Sequence, residues 1–297
     1  MPDLGSDLGR DAGPDLGPAD LLRRRVAADP SRPFVTFYDD DTGERVELSA
    51  KTFDNWVAKT ANLLVDGLAA EAGGRAVLAL PPHWQSAVWL MACWSAGLHV
   101  EVLDPDTAGF HERVRSGEPA GGSGPYLLAA AEAVLGDVIH DREAEEIIGL
   151  SLHALGGPLR EAPAGVVDYA VEVRAYGDRF VQSPDVVPQL PAVTVMTDAS
   201  TVTKTTFTAA ELVRAADGTA AKWGLEARDR VLTDMSYATA EGVLTGLLAP
   251  LASGASVIIQ RNFHKDALDR RVSLEHVTVV AGVPGWNDES GSVRRLA

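Results

Sequence analysis

Between Thr197 and Lys204 the chain reads Thr-Asp-Ala-Ser-Thr-Val-Thr-Lys, a run of hydroxyls closed by one ammonium, and these are residue types that hold phosphate. A phosphate loop works by turning consecutive backbone N–H groups toward the anion. That needs close backbone approach and usually a positive φ, both of which glycine supplies. Here Ala199 and Val202 stand where such a cradle would carry glycine. A β-branched residue in the left-handed region costs roughly 1–2 kcal/mol. The side chains of Thr197, Ser200, Thr201 and Lys204 are therefore candidate nucleotide ligands on a backbone poorly suited to the task. A plainer reading makes Lys204 a solvated lysine at a helix start, and Thr203 and Thr208 caps of the helix that follows.

Other chemistry is thinner. The seven histidines show no His-x-x-x-His or Cys/His ligand spacing, so no zinc site is expected. There is no Gly-x-Ser-x-Gly elbow, Gly-x-Gly-x-x-Gly fingerprint or intact Walker loop. His83 and Trp84 follow Pro81-Pro82 at a strand-to-helix turn, the carboxyl edge where ligands bind open sheets, but local capping or packing is the favoured reading over ligand contact. The run Asp39-Asp40-Asp41 reads as a hairpin turn on the surface rather than a metal site.

These residues need a scaffold, and the composition is that of an ordinary globular protein: 297 residues, 46% hydrophobic and 23% charged. A net charge of −16 argues against nucleic acid and anionic membrane surfaces as partners, since both require a basic footprint. The single cysteine, Cys93, lies in an apolar helical pattern, so an intramolecular disulfide is excluded and a buried thiol in a reducing, cytoplasmic setting is expected. The N-terminus lacks the apolar core of a secretory signal. No stretch approaches the roughly 18 apolar residues of a membrane span.

Residues 1–19 repeat Asp-Leu-Gly among Gly, Pro and Asp and read as a disordered acidic tail. A short amphipathic helix follows, with Asp20 as its candidate N-cap and Pro30 and Pro33 as its stop. Two strands with a turn at Asp41-Thr42-Gly43 come next, then a helix capped by Ser49 with Phe53, Trp56, Val57, Ala61, Leu64 and Leu68 on one face. Residues 75–81, 82–97 and 98–106 form strand, helix and strand, the length of a parallel βαβ unit. Residues 105–125 read as a loop or insert, and 125–139 as a strand continuing into a helix. Residues 149–163 are irregular, 166–180 a helix, and 191–197 a strand entering the Thr/Ser/Lys loop. Beyond it, a helix runs from a Thr208 cap to Gly224, followed by strand 229–236, helix 241–254, strand 255–260 and strand 277–284. The alternation has the period of an open α/β sheet.

The order of these elements resembles the N-terminal part of the adenylate-forming ligase superfamily, which includes acyl-CoA synthetases. Pro81, Ala96, Gly97, Leu103, Asp104 and Pro105 fall on positions of that family's early strand, helix and strand. Residues 197–212 are similar to its phosphate loop, Thr-Ser-Gly-Thr-Thr-Gly-x-Pro-Lys-Gly-Val, with Thr197, Ser200, Thr201 and Lys204 on matching types. The loop here is one residue shorter, has no proline before the lysine, and carries Ala209 where the family has a histidine. The resemblance covers roughly residues 20–284 and extends to a narrower group of short proteins related to acyl-CoA synthetases.

That resemblance implies an α/β fold of doubly wound, mostly parallel sheets, in two lobes near 20–187 and 188–297. The chain ends soon after Pro284, before the family's Tyr-Gly-x-Thr-Glu adenine and magnesium motif, its ribose-binding aspartate and its mobile C-terminal domain. Tyr237-Ala238-Thr239-Ala240-Glu241 has a superficial likeness to the adenine motif, but stands too early and lacks the glycine. The expectation is a truncated, ligase-like pseudoenzyme that works by binding or interaction, with a protein subunit or a second copy of itself as partner. The alternative is a protein that binds ATP or AMP, with magnesium, and forms acyl-adenylates when a separate chain completes it.

Overall fold

The computed structural model describes residues 15–107, 110–111, 114, 124–196, 203–283, 286 and 291–296. Helix α1 (Pro18–Ala28) starts ahead of the expected cap. Gly17 is the N-cap, and Asp20, inside the first turn, accepts the Gly17 N–H at 2.9 Å. Strands β1 (Pro33–Asp39) and β2 (Glu44–Ser49) form the expected hairpin, with Gly43 at φ 72°. Ser49 caps α2 (Ala50–Asn62) by accepting the Thr52 N–H, and a wide π turn, Leu63–Gly67, closes the helix.

The βαβ unit is β3 (Arg75–Ala79), α3 (Trp84–Ala96) and β4 (His99–Val102). Gly97 ends α3 in the left-handed conformation. All thirteen α3 residues are buried, as expected of a helix that is apolar all round. The chain continues through β5 (Tyr126–Ala131), α4 (Leu135–Val138), β6 (Ala144–Leu150), β7 (Val166–Asp168) and α5 (Tyr169–Glu172) to β8 (Pro191–Met196). After it come β9 (Lys204–Thr208), α6 (Ala209–Trp223), β10 (Arg230–Thr233), α7 (Ala240–Val243), α8 (Ala249–Ser253) and β11 (Ser256–Arg261). The described chain closes with α9 (Lys265–Leu274), β12 (Val279–Ala281) and β13 (Arg294–Leu296). No described helix is long and apolar enough to cross a membrane.

Two mostly parallel sheets result. One has the order β13-β12-β10-β11-β1-β2 and the other β7-β6-β5-β3-β4-β8-β9; among the described strands only the β1–β2 and β8–β9 pairs are antiparallel. Each sheet draws on both sides of the expected 187/188 boundary, because β1 and β2 join the late strands while β8 and β9 join the early ones. Phe37 and Val257 of the first sheet, Leu78 and Val100 of the second, and the apolar side chains of α3 share one continuous core.

Several expectations are corrected. The helix expected over 166–180 is replaced by β7 and short helical turns. Val166 and Val167 pair with Ile147 and Ile148, and Asp168 caps the next turn by accepting the N–H groups of Ala170 and Val171. Lys204 opens a strand rather than a helix; α6 begins five residues later, where Thr208 and Glu211 form a capping box. The carboxylates of 39–41 do not make a simple surface turn. Asp39 is buried and accepts from the N–H groups of Asp41 and Thr42, while Asp40 is paired with Arg271. Helix α9 and strand β13 are elements that local pattern does not mark. The expected acidic tail and the insert at 105–125 lie mostly outside the described residues.

Candidate functional site

In a parallel sheet, ligands bind outside the carboxyl ends of adjacent strands whose outgoing connections run in opposite directions. In the seven-stranded sheet β3 leads to β4 on one side and β5 leads to β6 on the other, so the crevice opens between β3 and β5. In the six-stranded sheet the corresponding pair is β10 and β12. The Thr/Ser/Lys loop leaves the carboxyl end of β8.

The loop is anchored at its base. Met196 and Lys204 are partners in the β8–β9 ladder, and the Met196 N–H donates to the Ala238 carbonyl at 2.9 Å. The segment 237–241 therefore lies against the loop's root. Its Tyr237 side chain is buried and reaches the Gly246 carbonyl at 3.3 Å. Thr197, Ser200 and Thr201 lie outside the described residues; Lys204 does not. Its Nζ sits 2.6 Å from Oε1 of Glu101 on β4, a residue only 5% exposed. Beside this pair runs a polar row, with His99 Nε2 2.8 Å from Thr194 Oγ1 and Thr194 Oγ1 2.7 Å from Thr206 Oγ1. The cation expected to face phosphate is thus turned along the sheet onto a buried carboxylate, a poor fit to a polyphosphate. No cluster of three or more metal-ligating side chains occurs among the described residues.

The carboxyl edges of the two sheets are clasped together. Arg261, the last residue of β11, grips Asp106 after β4 with Nε and Nη2 at 2.9 and 3.0 Å. Asp104 is buried and accepts the Asp106 N–H at 2.9 Å. Burial raises its pKa against the opposing pull of Ser236 and the Asp106 N–H. Asn262, just past the end of β11, donates to both oxygens of Asp39 on the neighbouring β1 at 3.1 and 3.2 Å.

At the β10–β12 crevice stands Asp234, with its carboxyl pKa raised by burial. Gly282 (φ 80°) presses on it so closely that a Cβ there would lie 2.8 Å from Asp234 Oδ1. Sequence reasoning missed both Asp234 and Glu101. For Glu101 the signal was present: a lone carboxylate inside the apolar strand His99–Val102 needs a partner when buried. Asp234 offered no local signal, since its burial depends on a strand that arrives much later in the chain.

No family model matches the chain. A protein of Mycobacterium tuberculosis (strain ATCC 25618 / H37Rv), described as a TIGR03089 family protein, is 38% identical over 260 residues, which is 88% of this chain and 96% of that protein. Among solved structures, the Brucella canis acyl-CoA synthetase superposes with a TM-score of 0.74 at 17% identity, covering 92% of this chain and 49% of that one. VinN superposes with a TM-score of 0.67 at 19% identity, covering 92% of this chain and 62% of its own. The chain thus spans about half the length of the acyl-CoA synthetase it matches. Its two mostly parallel sheets have the fold of the adenylate-forming ligases. At 38% identity across nearly the whole of both proteins, the sequence relationship reaches further than shared architecture, and the chain belongs to the TIGR03089 family.

Proposed function

We propose that this protein is an acyl-CoA synthetase-like scaffold that acts by binding or interaction and has no independent ligase activity. Adenylate formation requires a carboxylate to attack the α-phosphate of ATP while positioned donors and a cation stabilise the in-line transition state. The observation that carries the reading is the pairing of Lys204 with buried Glu101. A phosphate approaching that lysine meets an anion already in place, on a protein whose net charge is −16. The missing glycines of the adjoining loop point the same way, because a backbone cradle for phosphate depends on them. The buried Cys93 accords with a reducing, cytoplasmic setting.

The test is ATP–pyrophosphate exchange by the purified protein across a panel of carboxylic acids, together with calorimetric titration of ATP, AMP and a non-hydrolysable acyl-adenylate mimic. No exchange and no saturable heat is the expected result. Exchange with any acid overturns the proposal. Saturable ATP binding that is lost in Lys204→Ala would favour a nucleotide-binding protein completed by a separate chain.

A further inference from the structure

Past the carboxyl end of β3, three consecutive side chains at the first turn of α3 carry buried polar atoms that the fold leaves without partners. His83, Trp84 and Gln85 are each 1% exposed. The Nε2 of His83, the Nε1 of Trp84 and the Oε1 of Gln85 have no hydrogen-bond partner. The state of the imidazole follows from its other nitrogen. Nδ1 accepts the Gln85 N–H at 3.1 Å as the N-cap contact of the helix, so Nε2 carries the proton and is an orphan donor. Burial pushes the His83 pKa down to about 3, with a smaller push from the Arg261 charge, which keeps the ring neutral.

Buried donors and acceptors in native proteins are nearly always satisfied, and leaving one open costs about 1–3 kcal/mol. Two orphan donors and one orphan acceptor on successive residues, past a strand's carboxyl end and at a long helix's N-terminus, describe a site whose partner comes from outside the chain. We infer that this turn binds a small, uncharged, planar molecule bearing a carboxamide, whose oxygen accepts from His83 Nε2 or Trp84 Nε1 and whose N–H donates to Gln85 Oε1.

The surroundings select against charge and for a flat ring. Phe37 packs edge-on to the His83 ring at 4.3 Å between centroids, and Trp56 stands edge-on to Trp84 at 5.4 Å. The cations flanking the turn are engaged, Arg261 by Asp106 and Arg174 by the Gly156 carbonyl, so a buried anion would lack a counter-charge of its own. The roof is the segment 151–157, folded on itself by the Ser151 Oγ bond to the Gly157 carbonyl at 2.6 Å and tied down by Arg174 at the Gly156 carbonyl, 2.9 Å. Gly156 (φ 62°) lies directly over the turn, where a Cβ would sit 3.3 Å from Trp56 and 3.7 Å from Gln85. Leu155 at the tip is 81% exposed, so the tip itself buries little surface, and lifting the roof to admit the molecule means releasing the Arg174 tie and the packing of Leu152.

The experiment uses benzamide as the probe and benzoate as its charged counterpart, on the full-length protein, followed by tryptophan fluorescence and by the side-chain nitrogen NMR signals of His83. Benzamide is expected to give a saturable fluorescence change and to shift the Nε2 signal, with benzoate at least tenfold weaker. Gln85→Leu is expected to abolish the fluorescence response while raising Tm by about 2 °C, since an unsatisfied acceptor is removed. The proposal is overturned if benzamide does not saturate or leaves the Nε2 signal unmoved, or if benzoate binds as well. A lower Tm in Gln85→Leu also overturns it, because buried water would then be the partner. The NMR arm needs only the wild-type protein, so it decides the question even where the variant does not fold.

Discussion

The Nζ of Lys204 lies 2.6 Å from Oε1 of Glu101, although the two residues are 103 positions apart and sit on strands separated by β8. The contact joins the lysine that closes a phosphate-loop pattern to a carboxylate that the strand buries. It gives the lysine a structural role. Lys204→Met would strand the Glu101 carboxylate away from its cation. Breaking a fully buried pair costs about 3–5 kcal/mol, and the 37% exposure of the lysine side chain lowers this to about 2 kcal/mol. Urea unfolding of the variant measures it. A midpoint unchanged from wild type would mean that the pair contributes nothing.

Asp40 and Arg271 form a second pair, with side chains only 5% and 10% exposed, and the guanidinium stacks 4.0 Å above the Tyr38 ring. Burial pushes the Asp40 pKa up, but the Arg271 hydrogen bond, the His264 N–H and the Arg271 charge together hold it below the ordinary value. Glu275 behaves alike: burial raises it, while Arg45, Tyr38 and Arg230 pull it lower. Both folded pKa values lie below the unfolded ones. Their stability is therefore fully present above the usual carboxyl range near pH 4 and is lost as pH falls through the folded values. The contribution of these two carboxylates to the melting temperature should be flat from pH 7 to about 5 and fall below about 4. Arg271→Leu should cost about 3 kcal/mol at neutral pH and weaken the acid dependence.

Asp234 has the opposite sign. Burial raises its folded pKa, so ionisation costs stability as pH rises through that value. Asp234→Asn is expected to melt higher than wild type at pH 7 and to lose that advantage below about pH 4. Paired melts at the two pH values check it, and an advantage that persists in acid would show that charge is not the cause.

Two glycines should respond oppositely to alanine. A Cβ on Gly242 would lie 1.9 Å from the Ser236 carbonyl oxygen, a clash with backbone that no rotamer relieves. Gly242→Ala should lose more than about 3 kcal/mol or fail to accumulate in soluble form. Gly218 sits in the middle of α6 with nothing within 4 Å of its Cβ position, so Gly218→Ala should gain about 0.5–1 kcal/mol from helix propensity. Chemical denaturation of both variants provides the comparison.

Cys93 is fully buried in α3, and burial pushes its thiol pKa well above the ordinary value. A thiol reagent such as DTNB should leave the native protein unlabelled and react with one equivalent once it is unfolded in guanidinium. Rapid labelling under native conditions would mean that α3 opens locally.

The sequence by itself determined the elements whose signals are local. Helix α6 is legible because its cap pair, Thr208 and Glu211, and its terminating Gly224 lie within or next to the segment they define. Ser49, His83 and Gly97 mark α2 and α3 in the same way, and the apolar runs of β3, β8 and β11 are continuous because parallel strands are covered on both faces. Cys93 was readable as buried from the helical pattern around it. Only the tertiary structure decided what pairs with what. Val35 meets Val257 across the β1–β11 ladder, Lys204 meets Glu101, and Arg261 meets Asp106. Strand β9, with its alternating hydroxyls, is a strand only because β8 supplies its ladder. Likewise, the pattern placed His83 at a strand-to-helix turn, but its unpartnered nitrogen appears only once Phe37 and the rest of the core surround the ring. Helix caps and hydrophobic period act over a few residues, whereas burial, charge pairing and sheet order depend on segments far apart in the chain, and that separation sets what the sequence alone can disclose.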